Sequence, residues 1–138
     1  MTINSPATLH AEGIAETNSW DEKPYQEFED GRKLTKATVV QTLTGGISGE
    51  VSTEYVMAYT SESYASYVGM ALMKGTLGDK QGTFLLRLVG TFEGGIASGT
   101  WSVVSGSGTG ALKALQGEGG FRAPHGTQMD YTLDYAFE

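Results

Sequence analysis

A chain of 138 residues with nine Lys and Arg against sixteen Asp and Glu has a formal net charge of −7, and it contains no cysteine. This length suits one domain, residues 1–138, with a core of its own, and the missing thiols exclude disulfides, cysteine zinc sites, iron–sulfur clusters and a cysteine nucleophile. The acidity, with a pI near 4.7, repels phosphate backbones and anionic membrane surfaces, so neither nucleic acid nor a membrane is expected as a partner.

Residues 1–6 are expected to form a flexible N-terminus, and MTINSPATLHAEG lacks the basic cluster and apolar core of a secretory signal, which predicts a cytoplasmic location. Residues 7–19 alternate loosely, with Leu9, Ala11, Gly13 and Ala15 against Thr8, His10, Glu12 and Glu16, and predict a strand. SWDEKPYQEFEDGRK follows as a predicted loop, with Pro24 and the pair Asp30-Gly31 as breaks. LTKATVVQTLTG, from Leu34, is rich in β-branched residues and ends at Gly45-Gly46, a hairpin signal. ISGEVSTEYVMAYT is the next strand, a Ser-Glu-Ser turn follows at 61–63, and YASYVGMALMKGTLG and QGTFLLRLVGTFE flank Gly78-Asp79. Beyond Gly94-Gly95, IASGTWSVVSG is a strand, and GSGTGALKALQGEGGFRA is expected as a glycine-rich crossing with one helical turn at Ala111 to Leu115. TQMDYTLDYAFE closes the chain with Met129, Tyr131, Leu133, Tyr135 and Phe137 on one face.

The patterns add up to about eight strands and no long helix, and apolar runs such as Val68 to Met73 fall far short of the ~20 residues of a membrane span. Short glycine turns make antiparallel neighbours, leaving a sandwich or an up-and-down barrel. FLLRLV and VGMALM would be hazardous on an open edge, which favours an eight-stranded antiparallel barrel whose closure removes edges. Glycines at 69, 75, 82, 90 and 99 lie inside strand patterns, where they permit tight coiling and bulges.

SWDEKPY at 19–25, EYVMAY at 54–59, GTFEGGIASGTW at 90–101, GSGTGALKALQGEGGF at 106–121 and YTLDYAFE at 131–138 resemble the bacterial domain-of-unknown-function family 3224 over nearly the whole chain. The resemblance implies a barrel similar to that of allene oxide cyclase, with eight strands around an elongated cavity, and no established activity. Plant allene oxide cyclases hold an apolar substrate and shape its cyclisation. Their catalytic residues do not map onto this chain one by one, so isomerase or cyclase chemistry is carried by fold analogy alone.

GSGTG at 106–110 lacks the helix and parallel sheet of a phosphate loop and reads as a structural crossing. His10, Glu12 and His125 lack the spacing that singles out a metal trio, so neither metal nor cofactor is expected, and no G-x-S-x-G elbow supports hydrolysis. Among the acids Asp21, Glu22 and Glu54, an inward Glu54 would have a raised pKa and could shuttle a proton, making it the candidate catalytic group. Period-two alternation with Tyr55, Met57 and Tyr59 inward instead turns Glu54 to solvent. The ligand-binding candidates are Trp20, Glu22, Glu54, Tyr59, Tyr67, Trp101 and Tyr131, within an aromatic set that also holds Tyr55 and Tyr135. The strand around Arg87 is apolar on both faces, which predicts a homo-oligomer through Met70 and Leu85 to Val89, with Arg87 at that interface, on a ligand, or at plain surface. Two functions remain open. One is a cavity that binds a small, mostly apolar molecule, with isomerase or cyclase action on it as the enzymatic version; the other is a non-catalytic oligomeric binding or scaffold protein.

Overall fold

The computed structural model describes residues 8–124 and 128–137. The predicted flexible N-terminus and His125 lie outside the described residues. Eight strands follow in order: β1 Leu9–Glu27, β2 Lys33–Gly45, β3 Ile47–Ser61, β4 Tyr64–Leu77, β5 Lys80–Glu93, β6 Ile96–Val103, β7 Leu115–Ala123 and β8 Gln128–Phe137. Each pairs antiparallel with the next, and β8 pairs with β1 from Leu9↔Tyr135 to Glu16↔Gln128, closing the barrel.

Strict alternation sets the core. In β2, Thr35, Ala37, Val39, Gln41 and Leu43 are buried while Lys36, Thr38 and Thr42 are exposed, the pattern of a sheet with one dry face. Gly94 and Gly95, at φ +60° and +85°, form the β5–β6 hairpin. Two successive positive φ values suit a tight hairpin turn, and glycine adopts them at the least steric cost. One end of the barrel is packed solid by Leu43, Ile47, Leu77, Leu112, Leu115 and Leu133, none more than 1% exposed.

Two predicted boundaries are corrected. The stretch from Ser19 is no loop: β1 continues to Glu27, paired with β2 down to Glu27↔Lys33, and only residues 28–32 turn. Pro24 is tolerated because, among the described residues, β1 pairs with β8 only as far as Glu16, which leaves its second half an edge that needs no donor on that side. The glycine-rich crossing contains a single 3-10 turn at Gly110–Leu112, and from Leu115 onward it is β7. Gly117, Gly119 and Gly120 lower strand propensity there, but a Cβ at Gly119 would lie 2.0 Å from the Thr132 carbonyl oxygen, so close pairing with β8 requires glycine.

GSGTG has a structural task. Where β6 has ended, Leu85 N donates to Ser107 Oγ (3.0 Å), Thr83 N to Thr109 Oγ1 (3.1 Å) and Thr109 N to the Thr83 carbonyl (2.9 Å), so the segment covers the start of β5.

Candidate functional site

The end of the barrel opposite the packed floor holds an open cavity of about 400 Å³. Its position follows from a bulge. Between Thr17↔Gln41 and Ser19↔Val40, β1 gains a residue, which shifts its alternation by one and turns Trp20 and Glu22, opposite Val39 and Ala37, toward the interior. Val39, Met57, Phe92, Phe121 and Met129 supply apolar wall, and Glu22 is the one charged residue of the lining among the described residues.

The rings form a series from the mouth downward. Trp20, about half exposed, stacks on Tyr55 at 6.2 Å and 25°, and Tyr55 meets Tyr67 edge-on at 5.2 Å. Tyr67 stacks on Phe121, which contacts Trp101, which contacts Tyr131 at 5.8 Å. Glycines make room for this series. A Cβ at Gly69 would lie 2.8 Å from Tyr55 Cδ1, one at Gly90 2.7 Å from Tyr67 Cζ, and one at Gly99 2.7 Å from Phe121 Cζ. Each of these glycines is the cross-strand partner of its ring. In-strand glycine therefore serves ring placement as well as coiling.

Glu22 forms the polar pole. Its Oε2 accepts hydrogen bonds from the Tyr59 hydroxyl (2.7 Å) and Thr35 Oγ1 (2.7 Å), and its Oε1 accepts one from the Trp20 indole N–H (3.0 Å). Burial disfavours the ionised carboxyl, but these three donors and the charge of Lys33 outweigh it and hold Glu22 below the usual glutamate range. The phenols move the other way. Burial pushes Tyr55 up to about 12, with the Thr53 hydroxyl offsetting part of the rise. Thr53 Oγ1 itself reaches no partner at hydrogen-bonding geometry. Burial also raises Tyr67, and burial together with the Glu22 carboxylate raises Tyr59. At neutral pH the described residues of the lining supply one carboxylate among protonated phenols.

The model of the family described as a protein of unknown function, DUF3224, matches residues 11–135. The chain belongs to the DUF3224 family. A crystal structure of a DUF3224 protein of unknown function from Shewanella oneidensis MR-1 is similar, with 24% identity, 96% of this chain and 98% of that one covered, and a TM-score of 0.78. That likeness shows the shared barrel. None of the curated proteins matches the chain.

In this DUF3224 barrel, Trp20, Glu22, Tyr59 and Tyr67 line the cavity. Three other candidates do not. Glu54 stands on the outer face between inward Thr53 and Tyr55 and accepts a hydrogen bond from Thr38 Oγ1 (2.9 Å), so the inward proton shuttle is corrected to a solvated carboxylate. Trp101 and Tyr131 lie beneath the cavity, 3% and 2% exposed, with their polar atoms committed to backbone. The Trp101 indole donates to the Thr132 carbonyl (2.8 Å), and the Tyr131 hydroxyl accepts from Ile47 N (2.9 Å) beside the Thr44 and Ile47 carbonyls. Phe121 and Thr35, which sequence reasoning left out of the site, belong to it through the register, and Tyr55, expected inward as one of the aromatic set, lines the cavity. His10 lies outside, on the outer face, with Nδ1 at 2.6 Å from Asp134 and Nε2 at 3.1 Å from Glu12. The bond to Asp134 is the main cause of its raised pKa. Among the described residues no three acidic or histidine side chains are arranged to hold a metal ion, and no helix is long and apolar enough to cross a membrane.

Glu22→Gln tests the carboxylate. A depressed folded pKa contributes stability that is fully present above the unfolded value near 4.5 and is lost as pH falls through the folded value. The melting-temperature advantage of the natural protein over the variant should therefore be largest at neutral pH and shrink between pH 5 and pH 3, about the range over which glutamates titrate. A difference that stays constant through this range would show that Glu22 ionises no more readily in the folded protein than in the unfolded chain.

Proposed function

We propose that the cavity binds a small, mostly apolar molecule whose polar end meets Glu22. The supporting observation is a preformed, ring-walled cavity of about 400 Å³ with a single hydrogen-bonded carboxylate at its mouth, the usual make-up of a small-molecule site. The same carboxylate would stabilise positive charge developing on the bound molecule, the contribution that an isomerase or cyclase of the allene oxide cyclase kind would need. Flat or elongated apolar compounds should raise the melting temperature by a few degrees, since a ligand of the native state alone stabilises it by RT ln(1 + [L]/Kd). Ala97→Trp, which fills the mouth, should abolish the shift. A chemically broad library that leaves the natural protein's melting temperature unmoved at saturation overturns the proposal.

A second, compatible reading is self-association, favoured by the outer face of β3, β4 and β5. Val56, Val68 and Val89 stand side by side there, exposed and in register. The next row reads Glu54, Met70, Arg87. A two-fold axis through Met70 would set Glu54 of one copy against Arg87 of the other, which suits an isologous dimer. Light scattering should give twice the chain mass at micromolar concentration, Glu54→Arg should weaken the dimer at least tenfold, and adding Arg87→Glu should restore it. A natural protein that is already monomeric removes this reading.

A further inference from the structure

We infer that the molecule held in the cavity is a lipophilic organic cation of the tertiary or quaternary ammonium class, its charged centre seated between the Trp20 and Tyr55 rings and the Glu22 carboxylate. The inference rests on the cavity-binding proposal and specifies its ligand. A carboxylate offers about four acceptor positions, and three on Glu22 are filled by the neutral donors Tyr59, Thr35 and Trp20. Little hydrogen-bonding capacity is left, but the negative charge is not neutralised at contact, since among the described residues Glu22 has no ion-pair partner and Lys33 acts on it only from a distance. The complement to such a group is a diffuse positive charge that needs attraction more than directed acceptors.

The surrounding rings have the same preference. Ring faces attract cations through their quadrupoles, tryptophan most strongly, and Trp20 and Tyr55 stack nearly parallel beside the carboxylate. The protein already lodges one cation on this cluster, with Lys33 Nζ 4.9 Å from the centroid of the Tyr59 ring. Lys33 faces Tyr59 at the rim and is not part of the lining, so it does not occupy the place between Trp20, Tyr55 and Glu22. The exposed pair Asp21 and Lys23, 3.9 Å apart, balances itself. A carboxylate-bearing ligand, by contrast, would bring a second negative charge to Glu22 in a partly desolvated mouth.

Three probes of similar shape separate the alternatives: benzyltrimethylammonium, its uncharged carbon isostere neopentylbenzene, and 4-phenylbutyrate. In chemical-shift titrations of the natural protein the ammonium should bind at least tenfold more tightly than the isostere, and phenylbutyrate most weakly. Glu22→Gln should bring the ratio of ammonium to isostere affinity close to one, while Tyr59→Phe, which keeps ring and carboxylate, should retain the preference. The comparison on the unaltered protein stands by itself if a variant fails to fold. Equal or weaker binding of the ammonium overturns the inference and leaves apolar binding intact; binding by none of the three at millimolar concentration overturns both.

Discussion

Trp101→Ala is expected to lower the unfolding free energy by about 3–5 kcal/mol, the range found when a large core aromatic is cut to alanine. The indole is 3% exposed and packs at 5.9 Å against Phe121 and 5.8 Å against Tyr131. Its removal leaves a void that the strands, fixed on both sides by their ladders, cannot close. It also strips the Thr132 carbonyl of the indole N–H, and a lost hydrogen bond costs about 0.5–1.5 kcal/mol, part of which lies within the total. Urea unfolding should show a lower midpoint at unchanged slope. Trp101→Phe, which keeps a ring and loses the bond, should fall between the two. A loss below about 1 kcal/mol for the alanine variant would mean that the barrel collapses onto the gap and that Trp101 does not support the cavity from below.

Gly90→Val should close the cavity. A Cβ there would sit 2.5 Å from the Ser98 carbonyl oxygen and 2.7 Å from both Cζ and the hydroxyl oxygen of Tyr67. Backbone in a closed ladder yields little, so the ring must move, and the free space lies in the cavity that Tyr67 lines. Overpacking of this kind costs about 1–3 kcal/mol. The more telling result is at the mouth: compounds that raise the natural protein's melting temperature should no longer do so. Thr91→Val, one residue on and facing outward, is the control and should change stability by less than about 0.5 kcal/mol. Ligand-dependent shifts that survive in the Gly90 variant would place the binding site away from Tyr67.

Much of the barrel was legible in the sequence because β2, β4, β5 and β8 alternate without interruption, β3 does so as far as Tyr59, and the turns at Gly45-Gly46, Gly78-Asp79 and Gly94-Gly95 have unambiguous chemistry. What escaped was wherever a local signal competed with a long-range one. Pro24 and the charges around it read as loop, yet β2 imposes strand on them through pairing that no local window contains. Gly117, Gly119 and Gly120 read as crossing, although close contact with β8 is what selects them.

The site was harder to see than the fold for one physical reason. Carried forward from Ala11, Ala15 and Thr17 without interruption, alternation points Asp21 inward and both Trp20 and Glu22 outward. The bulge after Thr17 reverses that phase, and nothing in the composition of Thr17-Asn18-Ser19-Trp20 or in periodicity announces a single extra residue. Residue type and a turn-rich setting single out Trp20 and Glu22 in the sequence, but their direction depends on the bulge. For Glu54 the plain period-two rule was the better guide, since no bulge interrupts β3 between Val51 and Tyr59.

The series of rings from mouth to floor has a photophysical consequence. It begins and ends near the chain's two tryptophans, Trp20 about half in water beside a carboxylate and Trp101 enclosed in the core. Their emission should therefore separate into a long-wavelength component from the rim and a short-wavelength one from the interior. A molecule entering the mouth would change the first and leave the second, whereas unfolding would merge them. Tyr55 and Tyr67 lie between as donors within a few ångströms of one another, so light absorbed by the tyrosines would be funnelled to both indoles. The barrel thus contains two optical reporters at fixed depths, and a Trp20→Phe variant would isolate the inner one without adding a label.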